Sequence, residues 1–173
     1  MALSIATIEG SADDKHLYSL IAAELTRRLP GEEGDDLDEF LKRISILPIG
    51  FQAMAAMYQL DVSMTLDDLG CHFNNWHHRG YIEKQIWALR ELELVEEADL
   101  LEQAYKLAQP HWHRIGDNET FGDWYYNSDF AKQIDPLNDR FWQLCKPGET
   151  WDGMLGQWPR YARKYPERLQ DAN

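Results

Sequence analysis

Apolar residues recur at steps of three and four along most of this chain, the spacing that places them on one face of an α-helix. The pattern is most regular from Thr65 to Ala108. Leu66, Leu69, Phe73 and Trp76 form one stripe, Ile82, Ile86, Leu89 and Leu92 a second, and Ala98, Leu101, Ala104, Tyr105 and Ala108 a third. The spacing predicts three consecutive helices. Thr65 caps the first, Asp67 and Asp68 sit in its first turn, Gly80 marks the break to the second, and Pro110 stops the third. Links of a few residues favour antiparallel neighbours. The expectation is that the rest of the chain is arranged around this unit.

Upstream, residues 1–12 show no stripe and predict a loose N-terminal segment. Asp13 or Asp14 caps a helix carrying Leu17, Leu20, Ile21, Leu25 and Leu29, which Pro30 and Gly31 end. Residues 31–39, GEEGDDLDE, open as an acidic loop and run into a helix with Leu37, Phe40, Leu41 and Ile44 on one side. Pro48 begins another at its first turn, followed by Phe51, Met54, Ala55 and Tyr58, with Met54, Met57 and Met64 filling core gaps. Beyond Pro110 the period weakens. An irregular segment over 110–122 precedes a short helix, and Asp135-Pro136 reads as a cap and first-turn proline before Leu137, Phe141, Trp142 and Leu144. The tail reads as helical, interrupted near Pro159. Together these predict an all-α fold. Residues 1–173 form a single domain of about eight helices with short antiparallel connections and an aromatic-rich, irregular C-terminal third.

Composition fits that reading. The chain has 173 residues, 44% of them hydrophobic and 12% aromatic, enough to bury a core without staples. No apolar run approaches the roughly 20 residues that span a bilayer. The N-terminus has no basic region followed by an apolar block, which predicts no signal peptide. Cys71 and Cys145 sit in no paired motif, as expected of a reducing compartment, and the expected location is the cytoplasm.

Charge changes the picture more. The formal net charge is −13, from 30 acidic and 17 basic residues. Residues 1–70 hold 13 acidic and 5 basic residues, so −8 of the total lies there. A second acidic patch, Glu91, Glu93, Glu96, Glu97, Asp99 and Glu102, surrounds a turn between two central helices. The tail carries a basic patch, Arg160, Arg163, Lys164 and Arg168. A field of this sign disfavours nucleic acid and anionic membrane as direct partners and suits a basic protein.

Candidate chemistry is thin. Cys71, His72, His77 and His78, with His111 and His113 further on, are ligand types for zinc, yet no CxxC or HExxH spacing is present. Cys71 and His78 stand two helical turns apart, so the expectation is no bound metal and no cofactor. Nothing marks Cys71 as an activated thiolate. The paired carboxylates Asp35 and Asp36 lie in a solvent-like context, and no glycine-rich phosphate loop exists. Asn74 and Asn75 read first as turn caps.

Six segments give the chain a family likeness: LDEFLKRI, TLDDLGCHFNNW, GYIEKQIWALREL, ADLLEQAYKLA, LNDRFWQL and YARKYPERL. In this order, over roughly residues 36–166, the chain resembles a bacterial family of unknown-function domains that includes an acidic DNA-mimic protein. The resemblance implies an all-helical and dimeric protein with no known catalysis. In the mimic, surface carboxylates imitate DNA phosphates on the DNA-binding face of a transcription regulator. The extra histidines and the basic tail depart from that pattern. The leading expectation is a non-enzymatic acidic protein that binds a basic protein surface. The candidate contacts are Glu32, Glu33, Asp35, Asp36, Asp38, Glu39, Asp67 and Asp68. Two alternatives stand beside it: an immunity-type inhibitor of a basic toxin, and a metal-dependent enzyme using the histidine cluster.

Overall fold

The computed structural model describes residues 3–29, 36–146 and 153–171. In chain order the α-helices are α1 (Ile5–Glu9), α2 (Asp14–Arg28), α3 (Leu37–Ser45), α4 (Ile49–Leu66), α5 (Leu69–Asn75), α6 (Arg79–Glu91), α7 (Val95–Ala108), α8 (Trp112–Ile115), α9 (Phe121–Tyr125), α10 (Asp129–Cys145) and α11 (Gln157–Lys164). Short 3₁₀ turns cover Gln109–His111, Met154–Gly156 and Pro166–Leu169. Among the described residues there is no strand. The fold is all-α.

The axis of the bundle is α4. Its apolar residues run right round the helix, the mark of a helix buried on every side. Phe51, Met54, Met57, Leu60 and Met64 are all buried, and Ala53, Ala55 and Ala56 keep the backbone accessible to neighbours. Each fully buried large side chain contributes about 1.5–3 kcal/mol. α6 packs along α4, α7 along α6, and α10 along α7, while α2 pairs with α11. The Thr65–Ala108 stretch does fold into consecutive helices, α5 to α7, but it is arranged around α4 rather than the reverse. A stripe count favours amphipathic helices, and α4 has no polar face to make a stripe visible.

Caps explain several boundaries. Asp13 Oδ1 accepts from the His16 N–H at 2.7 Å and starts α2. Thr65 is not a cap. α4 runs past it, and its hydroxyl donates to the Asp61 carbonyl at 2.8 Å. The cap of α5 is Asp68, and Leu66 points outward at the end of α4. Gly80 lies inside α6, which begins at Arg79 under a His78 cap. Pro136 sits within α10, where Ser128 is the cap, so Asp135-Pro136 does not open that helix. Pro136 is exposed and removes a single intrahelical N–H. Pro159 lies in the first turn of α11, where a missing N–H costs nothing, and the tail breaks at Pro166 instead. The expected loose N-terminus contains α1, capped by Ser4, with Ile8 buried. The expected irregular stretch over 110–122 holds α8. The short helix expected after the irregular stretch is α9, and α1 and α8 add to the expected set because both are too short to show a period.

The tail is bound by ion pairs. Arg163 Nε meets Asp14 Oδ1 at 2.9 Å, Lys164 Nζ meets Glu93 Oε1 at 2.6 Å, and Arg168 and the Tyr161 hydroxyl both meet Glu91. Arg28 Nη1 meets Asp171 Oδ1 at 2.7 Å, and Arg28 also holds the buried Glu24. Gly50 makes room for this docking. A Cβ there would come within 2.6 Å of Leu169 Cδ2 and 2.9 Å of Tyr161 Cε1.

Candidate acidic interface

Ion pairing sorts the carboxylates into two classes. The second acidic patch is largely neutralised. Arg168 takes Glu91, Lys164 takes Glu93, Arg140 takes Glu96, and Arg90 takes Asp99 and Glu102, with Lys106 also on Glu102. Burial pushes the Glu97 carboxyl up from its usual range. Lys164 and Arg168 of the basic tail patch are absorbed by the same contacts, and Arg163 by Asp14. Neither patch is the free field of one sign that the sequence suggests. Sequence reading missed this because several partners are distant in the chain, Glu91 and Glu93 more than 70 positions from Arg168 and Lys164 and Glu96 44 positions from Arg140.

The N-terminal carboxylates differ. Asp36 caps α3, its Oδ1 accepting from the Glu39 N–H at 3.0 Å. Asp38 and Glu39 follow in the first turn, where the helix dipole favours negative charge. Asp38 Oδ1 lies 3.2 Å from His78 Nε2, and Glu39 lies 3.9 Å from the exposed Lys42. Asp67 is exposed at the junction of α4 and α5. Among the described residues, no Lys or Arg lies within ion-pair distance of Asp36, Asp38, Asp67 or Asp68. Glu32, Glu33 and Asp35 lie outside the described residues.

Asp68 has both oxygens engaged by its own chain. Oδ1 accepts from the Cys71 N–H at 2.8 Å, and Oδ2 accepts from the Tyr125 hydroxyl at 2.8 Å. It fixes the junction that presents Asp67. The Cys71 thiol stands 3.7 Å from the Tyr126 hydroxyl. Burial first, then the Asp68 charge, pushes that thiol up, so it stays protonated and is a poor nucleophile. The bond to Cys71 leads the causes that push Tyr126 up to about 12. Asp67, Asp68 and Cys71 each offer a ligand atom, all within 4.8 Å of one another. With a protonated thiol and a fully engaged Asp68, the trio suits a hydrogen-bonded joint better than a metal centre.

The histidines do not converge. His72 is fully buried on Gln85, with Nε2 to Oε1 at 2.8 Å. His77 stacks on Trp112 at 4.4 Å, with Nε2 bonded to the Trp112 carbonyl at 2.7 Å. His78 caps α6 through Nδ1, which accepts from the Tyr81 N–H at 3.0 Å. Asn74 ties α5 to the Ile115 carbonyl and Asn118, so it fastens a loop rather than capping a turn.

Burial lowers the His72 pKa to about 4 from its ordinary 6.5. The unfolded chain therefore takes up this proton at a higher pH than the folded one. Stability is unaffected above pH 6.5 and falls as pH drops from 6.5 to about 4, by up to roughly 3 kcal/mol. Urea melts across that window should show the wild-type loss exceeding that of His72→Gln. Parallel curves for the two proteins would mean that His72 takes up its proton without unfolding.

Beyond the predicted contacts, the structure adds Asp135 and Asp139, exposed on α10, and the exposed Leu66, Tyr126 and Trp142. The sequence reading takes Asp135 for a cap and places Trp142 among the apolar residues of the helix that follows it. A signal was available in Ser128, whose hydroxyl accepts from the Ala131 N–H at 3.1 Å and places the helix cap seven residues upstream of Asp135.

No curated protein and no solved structure matches the chain. The family described as DMP19-like protein matches residues 45–165, more than half of the sequence. This interval holds α4 through α11, the buried axis with the helices α5, α6, α7 and α10, and both Asp67 and Tyr126. The chain belongs to the DMP19-like protein family.

Proposed function

We propose that this protein is a non-enzymatic acidic binding protein that engages a basic protein surface, acting as a mimic of DNA toward a DNA-binding protein. The observation that carries this reading is the split in ion pairing. Carboxylates near the tail are matched by the chain's own cations, while Asp36, Asp38 and Asp67 keep their charge facing solvent. Family membership and the net charge of −13 support it. The separate engagement of His72, His77 and His78 and the protonated Cys71 thiol support binding over catalysis.

Such a surface acts mainly on encounter, because exposed rim charges steer association more than they hold the complex. The test begins with capture of the partner from native extract at low and high salt, followed by rapid-mixing kinetics. Reversing Asp36, Asp38, Glu39 and Asp67 to lysine should slow association about tenfold or more and change dissociation less. Reversal of Glu9 and Glu167, which sit outside this surface, should matter little. Duplex DNA should compete for the partner. Binding that is indifferent to salt, to the reversal and to DNA would defeat the reading.

A further inference from the structure

Three large apolar side chains stand exposed beside Asp67. Leu66 is 80% exposed, Tyr126 66% and Trp142 38%. Hydrogen bonds fix two of them. The Trp142 indole donates to the Met64 carbonyl at 3.0 Å, and the Tyr126 hydroxyl meets Cys71 beside Asp67. Leu66, between Met64 and Asp67 in the chain, ends α4 between them. On α10, Asn138 Oδ1 accepts from the Leu69 N–H at 3.1 Å. The flank of α10 that carries residues 138 and 142 therefore faces the α4–α5 junction. Asp135 and Asp139 stand three positions before these two residues, so they share that flank. Among the described residues no cation pairs with Asp67, Asp135 or Asp139, and Lys132 on the same helix is held by Asp129 at 2.8 Å.

We propose that Leu66, Tyr126 and Trp142 form an apolar anchor site, ringed by Asp67, Asp135 and Asp139, for a segment of a basic protein that presents a leucine-like side chain flanked by lysine or arginine. This deepens the acidic-binding reading and rests on it. Exposed Tyr and Trp around an apolar centre with a charged rim have the make-up of an interface hot spot. Charge selects the occupant. A second copy would meet this patch through a two-fold contact and bring the same three unpaired carboxylates against themselves. A basic segment turns that repulsion into attraction.

The probes are two synthetic lysine-rich peptides, identical except for a central leucine or serine, added to the isotope-labelled full chain at low ionic strength. The leucine peptide should bind about tenfold tighter. It should shift the Leu66 and Tyr126 amides and the Trp142 indole in nuclear magnetic resonance spectra. Leu66→Ser with Tyr126→Ser should erase the tenfold preference, and Leu66→Ser alone, at a side chain 80% exposed, should weaken it with the melting temperature unchanged. Equal affinities, or shifts confined to Asp36–Glu39, would overturn the anchor while leaving the acidic reading in place. Failure of both peptides to bind would overturn both. A dimer in light scattering that the double variant splits would assign the patch to a second copy and overturn the proposal.

Discussion

Phe73→Ala should lower the unfolding free energy by about 3–5 kcal/mol. Phe73 is fully buried in α5, with its ring centroid 6.2 Å from Tyr105, 6.3 Å from Trp112 and 6.1 Å from His72. These neighbours are flat, rigid rings on three separate elements. They cannot collapse into the space a phenyl ring leaves, so the cavity cost adds to the lost transfer energy. Trp112 is further held between His77 on one side and the Arg79 guanidinium 5.1 Å from its centroid. Trp76→Ala should cost less. Its ring is only half-buried, against Tyr81, and its indole donates to Ser63 Oγ at 3.2 Å. Urea melts should show a lower midpoint for Phe73→Ala with an unchanged slope. An unmoved midpoint would mean the aromatic layer between α5, α7 and α8 is not tightly packed.

Phe73 also shows what the sequence made legible. Its place in a stripe of threes and fours is what an amphipathic helix requires, and the stripes of α6 and α7 are buried as written: Ile82, Ile86, Leu89 and Leu92, then Ala98, Leu101, Ala104, Tyr105 and Ala108. Stripes report which face is buried, not which helix lies at the centre. α4 therefore escaped notice as the axis. Caps were harder. Thr65, Asp67 and Asp68 are all plausible starts for α5, and the choice depended on Tyr125, 57 residues downstream, whose hydroxyl reaches Asp68.

The candidate surface was legible as charge and not as geometry. Counting acids placed the excess in residues 1–70, and among the described residues no arginine or lysine pairs with Asp36, Asp38 or Asp67. Counting could not foresee that Lys164 and Arg168 fold back onto Glu93 and Glu91, because such pairing is set by tertiary packing. Leu66 was read as core for a related reason. It fits the α5 stripe by number, but it belongs to the last turn of α4, and the chain turns between the two.

Gly70→Ala should be destabilising by about 2–4 kcal/mol, against the usual gain for alanine in a helix. Replacing a helical glycine ordinarily gains about 1 kcal/mol. Here a Cβ at position 70 would fall well inside van der Waals distance of the Tyr125 ring and hydroxyl. Tyr125 is buried, stacked on Phe121 at 5.1 Å and bonded to Asp68, so it has no free direction in which to retreat. Overpacking costs about 1–3 kcal/mol. Losing a hydrogen bond to a charged group adds about 1.5–3 kcal/mol. Together they outweigh the helix gain. The double-mutant cycle with Tyr125→Ala isolates the cause. Without the ring, Gly70→Ala should turn neutral or stabilising. A similar penalty in both backgrounds would place the strain in the α5 backbone. No penalty in the wild-type background would show that Tyr125 moves freely, and the Asp67–Asp68 joint would then lack the rigid support on which the acidic surface depends.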